Sequence, residues 1–206
     1  MASDVNLHWI GTEADIPLLD RLQSAPMIGM DTEWRPNIKP FSEQCIAIFQ
    51  ISSLTDAYII DLIALADNAA LDAKLTSIFT DERSLCLGFS FGSDTSMFKE
   101  SFPQMSFFKK FARFLDVQTY WSAINLEKNQ IGLAKVVQTV FDRPLCKGEQ
   151  MSNWETRPLR QSQLHYAAFD AQCLPIITEK LVALAQTKEH ADKITLEKFT
   201  KPLIFG

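Results

Sequence analysis

Met27-Ile28-Gly29-Met30-Asp31-Thr32-Glu33-Trp34 is an apolar run that ends in two carboxylates. Its first six residues predict a strand, and the lack of polar alternation before the acids predicts that both faces are covered. Asp31 and Glu33 are two apart, so a strand puts both on one face. Two carboxylates side by side repel, and each raises the pKa of the other unless a cation lies between them. Acids facing water at a frayed strand end are the plain alternative, and the apolar strand before them argues against it.

Further along the chain, two more acids interrupt or follow apolar segments. Asp94 ends Leu87-Gly-Phe-Ser-Phe-Gly-Ser-Asp94, and Asp170 ends Tyr166-Ala-Ala-Phe-Asp170. Asp94 alone reads as a helix N-cap. Tyr166 and Asp170 are four apart, so they share one face of a helix. Asp170 lies beside an alanine-rich stripe where a lone charge is costly. Divalent cations are the simplest partner for converging carboxylates, and two of them held by oxygen ligands suit phosphodiester hydrolysis.

The remaining pattern places these acids in an α/β domain. Residues 13–24 predict a first helix, and residues 45–51 and 57–61 two further strands. A helix is expected over 69–80 and a fourth strand over 84–89. A Phe-, Pro- and Lys-rich loop follows over 100–110, then a fifth apolar segment over 111–117. Residues 132–141 and 162–184 predict helices, the second with Leu164, Ala167, Ala168, Ala171 and Leu174 on its buried side and Pro175 as a kink. Pro36 and Pro40 bound a loop. Strands crowd the first half and helices the second, which fits a mixed sheet with helices on both faces. One domain is expected over 1–190. A charged, less ordered tail is expected over 191–206, read as the start of a region of a longer protein.

Composition excludes some classes. The chain has 206 residues, 47% hydrophobic and 22% charged, enough for one cored domain. No run of 18 apolar residues exists, so no membrane-spanning helix is expected. Residues 1–8 lack a basic segment followed by an apolar core, so no secretory signal is expected, and the chain is assigned to cytoplasm or nucleus. Cys45, Cys86, Cys146 and Cys173 form no close pairs and are expected as reduced core thiols. The histidines do not pair at zinc-ligand spacing. A net charge of −5 argues against nucleic-acid binding by bulk electrostatics, but not against an enzyme with a local positive groove.

Together, Ile28-Gly-Met-Asp-Thr-Glu33, the Gly88 to Asp94 segment and Tyr166-Ala-Ala-Phe-Asp170 resemble the three exonuclease motifs of the DEDD superfamily, tyrosine (DEDDy) subclass. Lys147-Gly-Glu-Gln-Met-Ser-Asn-Trp-Glu-Thr-Arg-Pro-Leu159 with Gln163-Leu-His-Tyr-Ala-Ala168 is similar to the segment shared by ribonuclease D and Werner-type exonuclease domains. The likeness looks closest to the nematode mutator-class exonuclease of RNA silencing, and runs from about residue 25 to 185. It implies a ribonuclease H-like fold and 3′-to-5′ removal of nucleoside 5′-monophosphates from single-stranded 3′ ends, RNA more than DNA. It also implies two Mg²⁺ or Mn²⁺ ions, held by Asp31, Glu33, Asp94 and Asp170, with Tyr166 positioning the attacking water. Phe89 and Ser90 depart from the His and Asn of many relatives. Protein partners in an RNA-silencing complex are a further implication.

Around that site, Trp34 is expected either to stack on or wedge against the terminal base, or to be a core or rim residue. Arg35, Lys39, Lys147, Arg157 and Arg160 are candidate positive charges, with Arg157 either pairing a phosphate or tying down its loop. Trp154 is assigned to packing. Lys109 and Lys110 beside Phe107, Phe108 and Phe111 form a weaker candidate for RNA contact. A catalytically silent nucleic-acid-binding or scaffold domain of the same fold is the first alternative, and an endonuclease or integrase of similar fold the second.

Overall fold

The structure, a computed structural model, describes residues 5–36 and 44–205. Lys39 and Pro40 lie outside the described residues. Among those described, seven strands form one mixed sheet: β1 (Asn6–Ile10), β2 (Met27–Trp34), β3 (Ile46–Ser52), β4 (Asp56–Asp61), β5 (Leu85–Gly88), β6 (Lys110–Asp116) and β7 (Lys201–Ile204). Their order is β1-β4-β3-β2-β5-β6-β7. The β2–β3, β3–β4 and β6–β7 pairs are antiparallel, and β1–β4, β2–β5 and β5–β6 are parallel. The helices are α1 (Ala69–Phe79), α2 (Gly92–Ser101), α3 (Val117–Asn125), α4 (Leu133–Phe141), α5 (Gln161–Gln186) and the single turn α6 (Leu196–Phe199). None is long and apolar enough to cross a membrane.

Both sheet faces are covered, as the unbroken apolar strands require. One face carries a 3-10 helix (Glu13–Ser24), α1, α2 and a phenylalanine cluster over Ile28, Met30, Phe49 and Ile60. The other carries α5 over Ile48 and Ile59, and α3, α4 and α5 over Leu85, Leu87 and Leu115.

Two features make room for a site beside β2. First, β5 pairs only with Met27 to Gly29 and ends at Gly88, while β2 runs on to Trp34. The edge of β2 opposite β3 is therefore open at Asp31 and Glu33, at the carboxyl ends of parallel strands where α/β folds commonly bind ligands. Second, α5 lies very close to β2. A Cβ on Gly29 would stand 2.0 Å from the Ala171 carbonyl oxygen and 2.8 Å from Pro175 Cδ. Pro175 has no N–H to bond that carbonyl four residues earlier, yet α5 continues through it as one element. The pair of Gly29 and Pro175 thus lets α5 lie down two residues from Asp31 and one from Asp170.

Several expectations are corrected. The first helix expected over residues 13–24 is present with those bounds but is of 3-10 type, with Pro17 inside it lacking the amide that an α-turn would use. Edge strand β1, with its polar Asn6 and His8, gave no strand pattern. Residues 117–125, which begin where the apolar segment expected over 111–117 ends, form α3, started by Asp116 accepting the Thr119 amide at 3.0 Å. Residues 191–205, within the tail expected over 191–206, are not loose. Ile194 is buried, its carbonyl accepts from the Tyr120 hydroxyl, β7 completes the sheet, and Phe205 N bonds Lys109 O at 2.8 Å. Phe107, Phe108 and Phe111 are core residues, so their rings are not presented for stacking on RNA. Of the four free cysteines, Cys86 and Cys173 are buried as expected, but Cys45 and Cys146 are exposed.

The close approach of α5 to β2 makes Gly29→Ala a severe change. Its methyl would have to displace backbone, so we expect a loss of about 3 kcal/mol or more, the upper range for overpacking. A urea midpoint within error of the parent would show that the helix yields freely.

Candidate active site

A cleft of about 500 Å³ opens where β2 outruns β5. Its floor is Met30 to Trp34, and its walls come from Ser90 and Asp94, the start of α4 at Gly132 to Ala134, the segment from Leu145 to Met151, and Tyr166 and Asp170 of α5. Asp31, Glu33 and Asp170 each offer an oxygen, and these oxygens lie within 4.8 Å of one another. Strand alternation aims Asp31 and Glu33 at α5, and the Gly29 contact brings Asp170 down to meet them.

Asp94 reaches the same cleft from the opposite layer. Thr32 points away from its acidic neighbours, toward Phe49, and its hydroxyl donates to Asp94 Oδ1 at 2.5 Å. Ser93 Oγ donates to the other oxygen at 3.3 Å. Asp94 does not act as the N-cap of α2, because it lies buried within the first turn. Ser90, where β5 turns into α2, has φ of 55°, a left-handed backbone uncommon for serine.

Electrostatics follow from this crowding. Burial, then the charges of Asp170 and Asp94, hold the Asp31 carboxyl well above its usual range. Burial, reinforced by Asp31, Asp170 and Asp94, pushes Glu33 up to about 10. Burial raises Asp94 to about 6 against the hydrogen bonds from Thr32 and Ser93. Burial raises Asp170 to about 7, opposed by the Tyr166 hydroxyl and by Lys147. Tyr166 is itself raised, first by burial and then by Asp170 and Glu33, so its hydroxyl stays protonated. Asp170 Oδ1 is buried with no hydrogen-bond partner among the described residues. Closely spaced, desolvated, oxygen-only donors with an orphaned acceptor fit a hard divalent cation.

The other expected residues divide. Trp34 and Lys147 line the cleft. Arg35 is exposed at the end of β2 and pairs with Glu155 at 3.3 Å. Arg160 pairs with Glu149 at 2.5 Å. Arg157 does not reach the cleft. Its Nε and Nη2 fork onto Asp61 at 2.6 and 2.7 Å, Nη1 donates to the Trp154 carbonyl at 2.6 Å, Nη2 reaches the Ala47 carbonyl at 3.2 Å, and the guanidinium lies over Trp9. With its donors so committed, Arg157 ties down the loop, which corrects its place among substrate contacts. Trp154 is fully buried, as expected of a packing residue, and backs the Tyr166 ring at 6.0 Å. Gln118, Gln150 and Met151 also line the cleft, although no local pattern marks them. Thr32 was hidden by its place on the opposite face.

Comparison with known proteins agrees with this geometry. The 3′-5′ exonuclease family model matches residues 8–186. The exonuclease mut-7 homolog of Aedes aegypti is 31% identical over 172 residues, which are 76% of this chain and 24% of that protein. The chain thus spans about a quarter of that relative's length. The crystal structure of the Aedes aegypti Nibbler EXO domain superposes with a TM-score of 0.77 at 27% identity, over 88% of this chain and 89% of that one. Trypanosoma brucei ribonuclease D in complex with RNA U12 shares the fold, with a TM-score of 0.73 at 19% identity over 98% and 74% of the two chains. The mixed sheet with helices on both faces is the ribonuclease H-like architecture of such domains. With the match running from β1 to the end of α5 and an acidic cleft at its centre, the chain belongs to the 3′-5′ exonuclease family.

Proposed function

We propose that this domain is a divalent-metal-dependent exoribonuclease that removes nucleoside 5′-monophosphates from single-stranded 3′ ends. The observation that carries this is the convergence of Asp31, Glu33 and Asp170 oxygens within 4.8 Å, with Tyr166 and Asp94 on the same cleft. RNA is favoured over DNA by the RNA-bound ribonuclease D of the same fold and by the mut-7 name of the mosquito relative. That name also supports a place in RNA silencing with protein partners.

Asp31, Glu33, Asp94 and Asp170 would hold two cations, Mg²⁺ or Mn²⁺. The chemistry they supply when bound is acidification of an attacking water and neutralisation of charge on the scissile phosphate and leaving oxygen. The protein does the rest. The Tyr166 hydroxyl, kept protonated and backed by Trp154, orients the water by hydrogen bonding. Water oxygen bonds to phosphorus as the bond to the 3′ oxygen breaks, which frees a nucleoside 5′-monophosphate and leaves a shortened 3′-hydroxyl end. Lys147 offsets charge where the phosphate meets Asp170. Trp34 can stack on the terminal base, worth about 1–3 kcal/mol.

A strand of 5′-labelled RNA should give a ladder of shortened products that stops in EDTA and resumes with Mn²⁺ or Mg²⁺. A circular strand should stay intact. Asp31→Asn or Asp170→Asn should cost more than about 100-fold in rate, beyond the 10–100-fold of outer-shell changes, and Tyr166→Phe about 100-fold or more. A mobility shift without a ladder would replace the enzyme with a binding domain of the same fold, and cleavage of the circle would point to an endonuclease.

The carboxyl shifts also predict a pH dependence of stability. Asp94, Asp170 and Glu33 have ordinary values of 3.8, 3.8 and 4.5 and are raised to about 6, 7 and 10 in the fold. Between those limits the metal-free folded state binds more protons than the unfolded chain, so stability falls as pH rises. The melting temperature without metal should drop from about pH 5 to 8, as Asp94 and then Asp170 ionise, and Mg²⁺ should flatten the fall. A metal-free melting temperature that rises over this range would remove the repulsion from the account.

A further inference from the structure

Gln50 of β3 stands directly across from Asp31 of β2. Opposed residues of an antiparallel pair project on the same side with Cβ atoms about 4.5–5.5 Å apart. Gln50 is 1% exposed, and neither Oε1 nor Nε2 has a hydrogen-bond partner among the described residues. Its neighbours on that face, Ile48 on β3 and Ile59 on β4, pack with Ala167 and Ala168 of α5. The amide is therefore roofed by the helix that carries Tyr166 and Asp170. Buried polar groups normally find partners, and a glutamine needed only to fill space would be better replaced by an apolar residue of its size. The acceptor directly across the strand pair is the Asp31 carboxylate.

We propose that Gln50 is a positioning residue for the acidic cage. Its Nε2–H donates to one oxygen of the Asp31 carboxylate and turns the other toward the cleft, where a divalent cation would be held. Outer-shell donors of this kind orient ligand carboxylates at metal sites. The inference rests on the metal-dependent function proposed above.

Gln50→Met keeps the volume and length of the side chain and removes both polar ends. Mn²⁺ binding by the parent and by Q50M, followed by electron paramagnetic resonance without substrate, tests the proposal. Q50M should bind Mn²⁺ about 10–100-fold more weakly, with a metal-free melting temperature equal to or above the parent's. Parent-like Mn²⁺ affinity in Q50M overturns the proposal, as does a fall in metal-free stability large enough to explain the lost affinity. Failure of the parent to bind Mn²⁺ overturns the metal-dependent function itself, and this role with it. If Q50M does not fold, the parent decides: on Mg²⁺ saturation the Gln50 side-chain amide protons should move downfield and exchange more slowly, and unmoved resonances overturn the proposal.

Discussion

Asp31, Glu33 and Asp170 repel one another in a place where water screens poorly, and no favourable contact among them explains their nearness. The work of assembly falls on the apolar frame. The phenylalanine cluster fixes one side of β2 and β3, and the α5 packing fixes the other. Gly29 and the proline-freed carbonyl of Ala171 set how close helix and strand come. A domain that spends packing energy on holding like charges together has a use for a cation there.

Around the cage, fixed groups hold the parts that would otherwise drift. The fork of Arg157 on Asp61 spans 96 residues of chain and anchors the segment that supplies both Trp154 and Lys147. Breaking one side of so buried a pair leaves an uncompensated charge, typically a loss of about 3–5 kcal/mol. Trp154 in turn supports the Tyr166 ring, so the orientation of one phenol depends on an ion pair on the far side of the loop.

Asp31, Glu33 and Asp170 were legible because each sets a charge in an apolar run, whereas Asp94, which alone reads as a helix cap, and Tyr166 were legible from the order of the motifs. The order of strands and the long last helix were legible from hydrophobic pattern. Other features were not, for physical reasons. Asp116 starts α3 with a single cap after a strand of similar composition. Thr32 lies on the face opposite its acidic neighbours and meets Asp94 only because α2 wraps around the end of β5. Arg157 was ambiguous between phosphate and loop until Asp61 appeared beside it. Gln50 carries no local signal at all, since its meaning comes from the register of β3 on β2.

The last strand has a bearing on solubility. It lies at the rim of the sheet, where unpaired amides and carbonyls invite a neighbouring molecule to add on. Lys201 and Pro202 stand in that rim strand, one bringing charge and the other removing an amide. The element that closes the sheet thus also discourages its stacking into fibres.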